Sequence, residues 1–166
     1  MTQSDYTKNI LNIEDPNITF YENSLKNEII NGVNTKVFHA YLTYTPSFCP
    51  KCRCKNETHN DIIKWNFKRN CIVKLLKVAN YNTILLLDKQ RFFCKHCNRT
   101  FIAESPIVGK FKNISNNTEL SIKLDLMNKI SEKDIALRHN VSHNKVNRIM
   151  NDLSSKKVFP GKLPSI

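Results

Sequence analysis

The 166-residue chain is long enough for one compact core or two to three small modules, and too short for a large multidomain enzyme. Its longest apolar run, Ile84 to Leu87, falls far below the roughly 20 residues that span a bilayer, and its start, MTQSDYTKN, lacks the order of a secretory signal, so a soluble cytoplasmic protein is expected, with no membrane partner. With 26 Lys+Arg against 14 Asp+Glu the net charge is +12, and three Gly leave neither a Walker loop nor a dinucleotide fingerprint.

The charge is unevenly placed. Residues 1–48 carry 3 basic and 5 acidic side chains (−2), 49–112 carry 14 and 4 (+10), and 113–166 carry 9 and 5 (+4). A basic middle suits a polyanion-binding surface, although a Lys-rich solvated face gives the same arithmetic. Anionic lipid would call for a basic amphipathic helix with aromatic anchors, which the sequence does not offer.

In chain order, the first block (1–48) reads as β-rich. Tyr6 to Ile13 has the weak helical spacing of Ile10, Leu11 and Ile13. Asn31-Gly32 then separates Glu28-Ile29-Ile30 from Val33 to Thr45, a hairpin signal. His39, in the second arm, reads as a half-buried structural side chain.

The next block (49–104) holds all six cysteines: Cys49, Cys52, Cys54, Cys71, Cys94 and Cys97. Cys49-Pro-Lys-Cys52 and Cys94-Lys-His-Cys97 are two Cys-x-x-Cys hooks with 41 residues between them. A two-residue gap lets a tight turn aim both sulfurs at one ion, and two hooks complete the four-sulfur tetrahedron of a structural zinc site. One structural Zn2+ per chain, held by Cys49, Cys52, Cys94 and Cys97, is therefore expected. Disulfides and a thioredoxin-like redox pair fit less well, because there is no sign of an oxidising compartment and two pairs bracket strand-like sequence. Cys54 could substitute as a ligand, Cys71 reads as a buried free thiol, and His96 could ligate only by displacing a cysteine. Asn98 follows the second hook, where a left-handed residue is commonly needed. Between the hooks, Ile72 to Val78 and Tyr81 to Phe93 read as paired strands about an Ala79-Asn80 turn. Four thiolates and one divalent ion would take this segment from +10 to about +8, still basic. Lys89, Arg91, Lys95 and Arg99 cluster around the second hook and are candidate phosphate contacts.

A turn-rich connector (105–117) leads into a helical region (118–155). Leu120, Leu124 and Met127 recur at i, i+4, i+7, predicting a first helix of about ten residues. Ser131 can cap a second helix with Asp134 at the third position, and Ile130 and Ile135 are placed as a hydrophobic staple. Ala136 is small where helices approach, Asn140 stands at the turn, Val141 plugs the core, and Ser142 caps a third helix. Val146, Ile149, Met150 and Leu153 form its apolar stripe. This is a helix-turn-helix pattern; a helical hairpin without a DNA role is the competing reading. His139 departs from it, where an aliphatic residue is usual. Opposite the stripe, Asn144, Asn147 and Arg148 are candidate base readers in a DNA major groove, with His143 and Lys145 at the helix start. The expected fold is α+β: a β-rich block with a four-cysteine zinc ribbon, then a three-helix helix-turn-helix domain and a linker (156–166).

In this order, the hairpin, Cys49-Pro-Lys-Cys52, Gln90-Arg-Phe-Phe-Cys94, Cys97-Asn-Arg-Thr-Phe101, Ile114-Ser-Asn-Asn-Thr118 and Asp134 to Met150 resemble the N-terminal half of bacterial insertion-sequence transposases of the ISL-three group. In those proteins a zinc-finger module precedes a helix-turn-helix and then a DDE, RNase H-like catalytic domain. The resemblance implies binding of double-stranded DNA at transposon terminal inverted repeats; a homodimer on that DNA and no small-molecule substrate are the partner expectations. The family's catalytic carboxylates lie downstream of this region, whereas this chain ends at Val158 to Ile166, which reads as the linker. No catalysis by this chain is therefore expected. The alternative is a free-standing transcriptional regulator built from the same modules.

Overall fold

A computed structural model describes residues 2–128 and 130–156. Among them are four helices and a five-stranded sheet, an α+β fold in two compact units, one ending at Asn116 and one beginning at Asn117. No helix among the described residues is long and apolar enough to cross a membrane. Of the expected linker (156–166), Lys156 ends the last helix and the rest lies outside the described residues.

The first unit opens with α1 (Gln3–Leu11), set by a reciprocal capping box between Thr2 and Asp5 and ended by Asn12 in the left-handed conformation. The helix therefore starts three residues before Tyr6 and stops short of Ile13. β1 (Ile18–Ile30) and β2 (Val33–Leu42) form the expected hairpin. Asn31 (φ 51°) and Gly32 (φ 75°) are both left-handed, as a two-residue turn matched to strand twist requires.

β3 (Ile62–Val78) and β4 (Tyr81–Cys94) form the second hairpin. Its turn also has two left-handed residues, Ala79 (φ 50°) and Asn80 (φ 64°). β3 begins ten residues before Ile72, the start expected from sequence. Its first half alternates apolar and polar side chains from Ile63 to Lys68, yet it is largely exposed and its register shifts between Lys64/Asn66 and Lys68/Cys71.

The strand order is β1-β2-β4-β3. β2 runs parallel to β4 from Thr35↔Asn82 to Leu42↔Lys89, so the N-terminal hairpin and the cysteine segment on the far side of residue 48 share one sheet. β5 (Arg99–Ile102) pairs with β4 beyond that point, from Arg91↔Ile102 to Cys94↔Arg99. The core contains Ile18, Ala40, Leu42, Leu85, Leu87 and Phe92, none with measurable exposure, and it continues into Cys49 and Cys94. The first cysteine of each hook is thus anchored in the hydrophobic core.

The second unit holds α2 (Asn116–Met127, its first residue at the unit boundary), α3 (Glu132–Arg138) and α4 (His143–Lys156). The stripe that signalled α2 in the sequence is exposed: Leu120, Leu124 and Met127 are 56%, 52% and 69% exposed, while Thr118, Glu119 and Ile122 are buried. The segment is apolar on several faces, so i, i+4, i+7 spacing selects a stripe without identifying the buried one. α3 begins as expected, with the Asp134 N–H donating to Ser131 Oγ at 3.2 Å, and Ile135 is fully buried. Asn140 (φ 52°) ends it in a Schellman arrangement: the Val141 N–H donates to the Ala136 carbonyl at 3.0 Å and the Asn140 N–H to Leu137 at 3.4 Å. α4 is capped by Ser142, and of its expected stripe Val146 and Ile149 are buried while Met150 and Leu153 are half-buried.

Candidate metal centre and basic surfaces

The two hooks meet at the end of the sheet where β4 finishes. Cys94 is the last residue of β4, its turn is closed by β5 returning antiparallel, and Cys49 follows β2 through a short segment. Each hook is followed by a left-handed residue, Arg53 (φ 61°) after the first and Asn98 (φ 52°) after the second. Asn98 is the expected residue; Arg53 gives no sequence sign of this conformation, since Arg rarely adopts it. In the first hook the Lys51 N–H points at Cys49 Sγ (3.4 Å), and the Arg53 N–H donates to the Cys49 carbonyl at 2.8 Å.

The sulfur atoms of Cys49, Cys52, Cys94 and Cys97 lie within 4.8 Å of one another. Cys49 and Cys97 sulfurs are 3.8 Å apart, as are those of Cys52 and Cys94. Four sulfurs at about 2.3 Å from one tetrahedral ion would stand about 3.8 Å apart, so this set has the dimensions of a metal shell. Cys54 comes closer than expected, 3.3 Å from Cys52 and 3.4 Å from Cys94. Cys52, Cys54 and the exposed His96 form a second, overlapping group of possible ligands. Cys71 is half-buried on β3, away from the cluster, so it is less enclosed than its apolar neighbours suggested.

Hydrogen bonding within the cluster separates thiolate-prone from proton-holding sulfurs. Burial opposes ionisation of Cys94, yet the N–H groups of Cys97 and His96 and the Cys54 thiol together bring it down to about 6. Cys52 is lowered by the N–H and then the thiol of Cys54. Cys54 is pushed up to about 12 by hydrogen bonding to Cys52 and then Cys94, and Cys97 to about 12 by burial and the same neighbouring sulfurs. A divalent cation would replace the remaining protons, which is how such a group couples metal binding to folding.

The four expected phosphate contacts divide into two places. Lys95 and Arg99 stand exposed at the second hook, whereas Lys89 and Arg91 line a concavity on the same unit. On α4, Asn144 and Arg148 are exposed on the face away from Val146 and Ile149. Asn147 and His143 are engaged. The Asn147 amide nitrogen lies 3.3 Å from His143 Nδ1, and His143 Nε2 lies 3.1 Å from Glu132 on α3. Asn147 Oδ1 is buried with no hydrogen-bond partner. Lys145 is half-buried. The unusual His139 is explained locally: it is buried, and its Nε2 meets Asp125 Oδ2 of α2 at 2.8 Å, with Arg138 on the same carboxylate at 3.2 Å.

No protein-family model, curated protein or solved structure matches this chain.

Proposed function

We propose that the protein is a metal-stabilised, sequence-specific binder of double-stranded DNA. The cysteine cluster holds one structural zinc ion through Cys49, Cys52, Cys94 and Cys97, forming a zinc ribbon at the sheet's end. The second unit is a helix-turn-helix whose α4 enters the major groove. The observation that carries this reading is the α3–α4 pair. A capped helix with buried Ile135 and Ala136 ends in a left-handed Asn140, and the next helix buries Val146 and Ile149 while exposing Asn144 and Arg148. Arg148 suits guanine and Asn144 suits adenine, each by paired hydrogen bonds. Asn147 and His143 join only if their mutual contact opens.

The resemblance to ISL-three transposases makes terminal inverted repeats the proposed target and the N-terminal, DNA-binding part of a transposase the proposed role, without the catalytic step. A free-standing regulator would use the same surface on an operator. The test is selection of a preferred site from random duplexes, followed by competition against scrambled DNA of equal length. Arg148→Ala should lower affinity for the selected site about 5- to 150-fold and leave non-specific binding nearly intact. Equal loss on both DNAs would show that α4 is not the reader.

A further inference from the structure

The concavity that receives Lys89 and Arg91 belongs wholly to the first unit, and the duplex-reading helix has no part in it. Its volume is about 1370 Å³, above the roughly 300–1,000 Å³ of most small-molecule clefts. It is strongly basic. Lys51 and Lys68 join Lys89 and Arg91 on the wall formed by the first hook and by β3 and β4, where Arg69 is ion-paired with Asp88 at 2.7 Å, and Lys110 and Lys112 contribute from the segment after β5. Glu104 is the single carboxylate in the lining, and it is ion-paired with Lys110 at 3.4 Å.

Two features cost the fold stability and gain nothing for its packing. First, Lys68 and Lys89 are direct cross-strand partners, and like charges set opposite one another destabilise a sheet. An anion between them would reverse the sign of that interaction. Second, Phe111 is 97% exposed and left-handed (φ 61°), with Lys110 Nζ 5.7 Å from its ring centroid. A bulky side chain in that conformation is strained, and full exposure returns nothing for the strain. Phe48, also in the lining, is 56% exposed.

We propose that this concavity binds a single polynucleotide strand, its phosphates running along the Lys68, Lys89 and Arg91 wall and its bases stacking on Phe111 and Phe48. Cations that track a backbone, with aromatic rings presented to bases, are the parts of a single-strand groove. A duplex keeps its bases stacked inside a convex surface, where exposed phenyl rings find nothing to stack on. This site is lined only by residues of the first unit and α4 belongs to the second, so either reading can fail without the other.

The experiment uses the full chain and fluorescence anisotropy with labelled dT12, rU12 and a 12-base-pair scrambled duplex. Inorganic polyphosphate serves as competitor. Wild type should bind a single strand more tightly than the scrambled duplex, and the dT12 and rU12 arms identify which polynucleotide is preferred. Phe111→Ala, at a site too exposed to affect folding, should weaken strand binding about 5- to 150-fold. Lys68→Ala should reduce the slope of log K against log salt by about 0.7, and should leave the melting temperature unchanged or higher. Arg148→Ala should not alter strand binding, which separates this site from the duplex reader. Duplex preferred over strand, no effect of Phe111→Ala, polyphosphate competing as well as dT12, or loss of strand binding in Arg148→Ala would each overturn the proposal.

Discussion

Replacing Cys94 by Ser tests the proposed metal centre where the cysteine cluster joins the core. Cys94 is fully buried and packs in the same cluster as Phe92, Ile62 and Ala103, and its sulfur lies 3.8 Å from Cys52 and 3.4 Å from Cys54. A structural zinc shell contributes apparent free energies of about 10–16 kcal/mol in small zinc-binding peptides, while whole domains are stable by only about 5–15 kcal/mol. Losing one of four ligands therefore removes a large share of the first unit's net stability. Even a loss of about 3 kcal/mol would lower the midpoint of a domain of this size by roughly 10–20 °C. The assay is elemental analysis of purified protein beside thermal unfolding followed by circular dichroism. Wild type should carry one zinc, Cys94→Ser none, and its first unit should melt early. Cys71→Ser, remote from the cluster, should retain the ion and the wild-type midpoint. Cys54→Ser should also retain the ion, because the other four sulfurs already complete a shell. A wild-type protein with no stoichiometric metal, or a Cys94→Ser variant that keeps both metal and midpoint, would refute the assignment.

Further outcomes follow from packing and hydrogen bonding. On α2, Ile122→Ala should cost about 2–5 kcal/mol and Leu124→Ala less than about 0.5 kcal/mol in urea unfolding, since the first is fully buried and the second 52% exposed; equal costs would contradict the observed face. Asp88 accepts from Arg69 at 2.7 Å, the Asn70 N–H at 2.8 Å and Tyr21 Oη at 3.0 Å. Burial opposes its charge, but these three donors hold its carboxyl below the usual range. A depressed carboxylate contributes stability that is complete above its unfolded value of about 4 and is lost as pH falls through the folded value. Asp88→Asn should thus cost about 1–3 kcal/mol at pH 7 and flatten the acid limb of the stability curve; an unchanged limb would contradict this. Asp125→Ala leaves buried His139 without its partner and should cost about 1–3 kcal/mol, whereas Asp125→Ala combined with His139→Leu should recover most of it; a thermal-melt series with no recovery would contradict the pairing.

Short-range chemistry was legible in the residues. Asn31-Gly32 and Ala79-Asn80 turn where they stand because two adjacent left-handed residues suit a hairpin, and Ser131, Asn140 and Ser142 bound their helices because local side-chain oxygens and a left-handed Asn satisfy helix ends. The two hooks announced four convergent sulfurs, since a Cys-x-x-Cys turn is a local device, and the sulfurs meet at metal-shell spacing. The stripe on α4 was readable because its polar residues leave one apolar face. α2 was not, because Leu120, Ile122, Leu124, Leu126 and Met127 offer several faces, and which one is buried depends on partners elsewhere in the chain. Tertiary structure alone decided the parallel pairing of β2 with β4, which joins residues 35–42 to 82–89. It also decided the close approach of Cys54 to the cluster and the gathering of Lys51, Lys68, Lys89 and Lys110 around one concavity. Capping, turns and hooks act over two to five residues and leave their signature in neighbouring letters, whereas strand pairing and the meeting of side chains from distant segments depend on how the whole core closes.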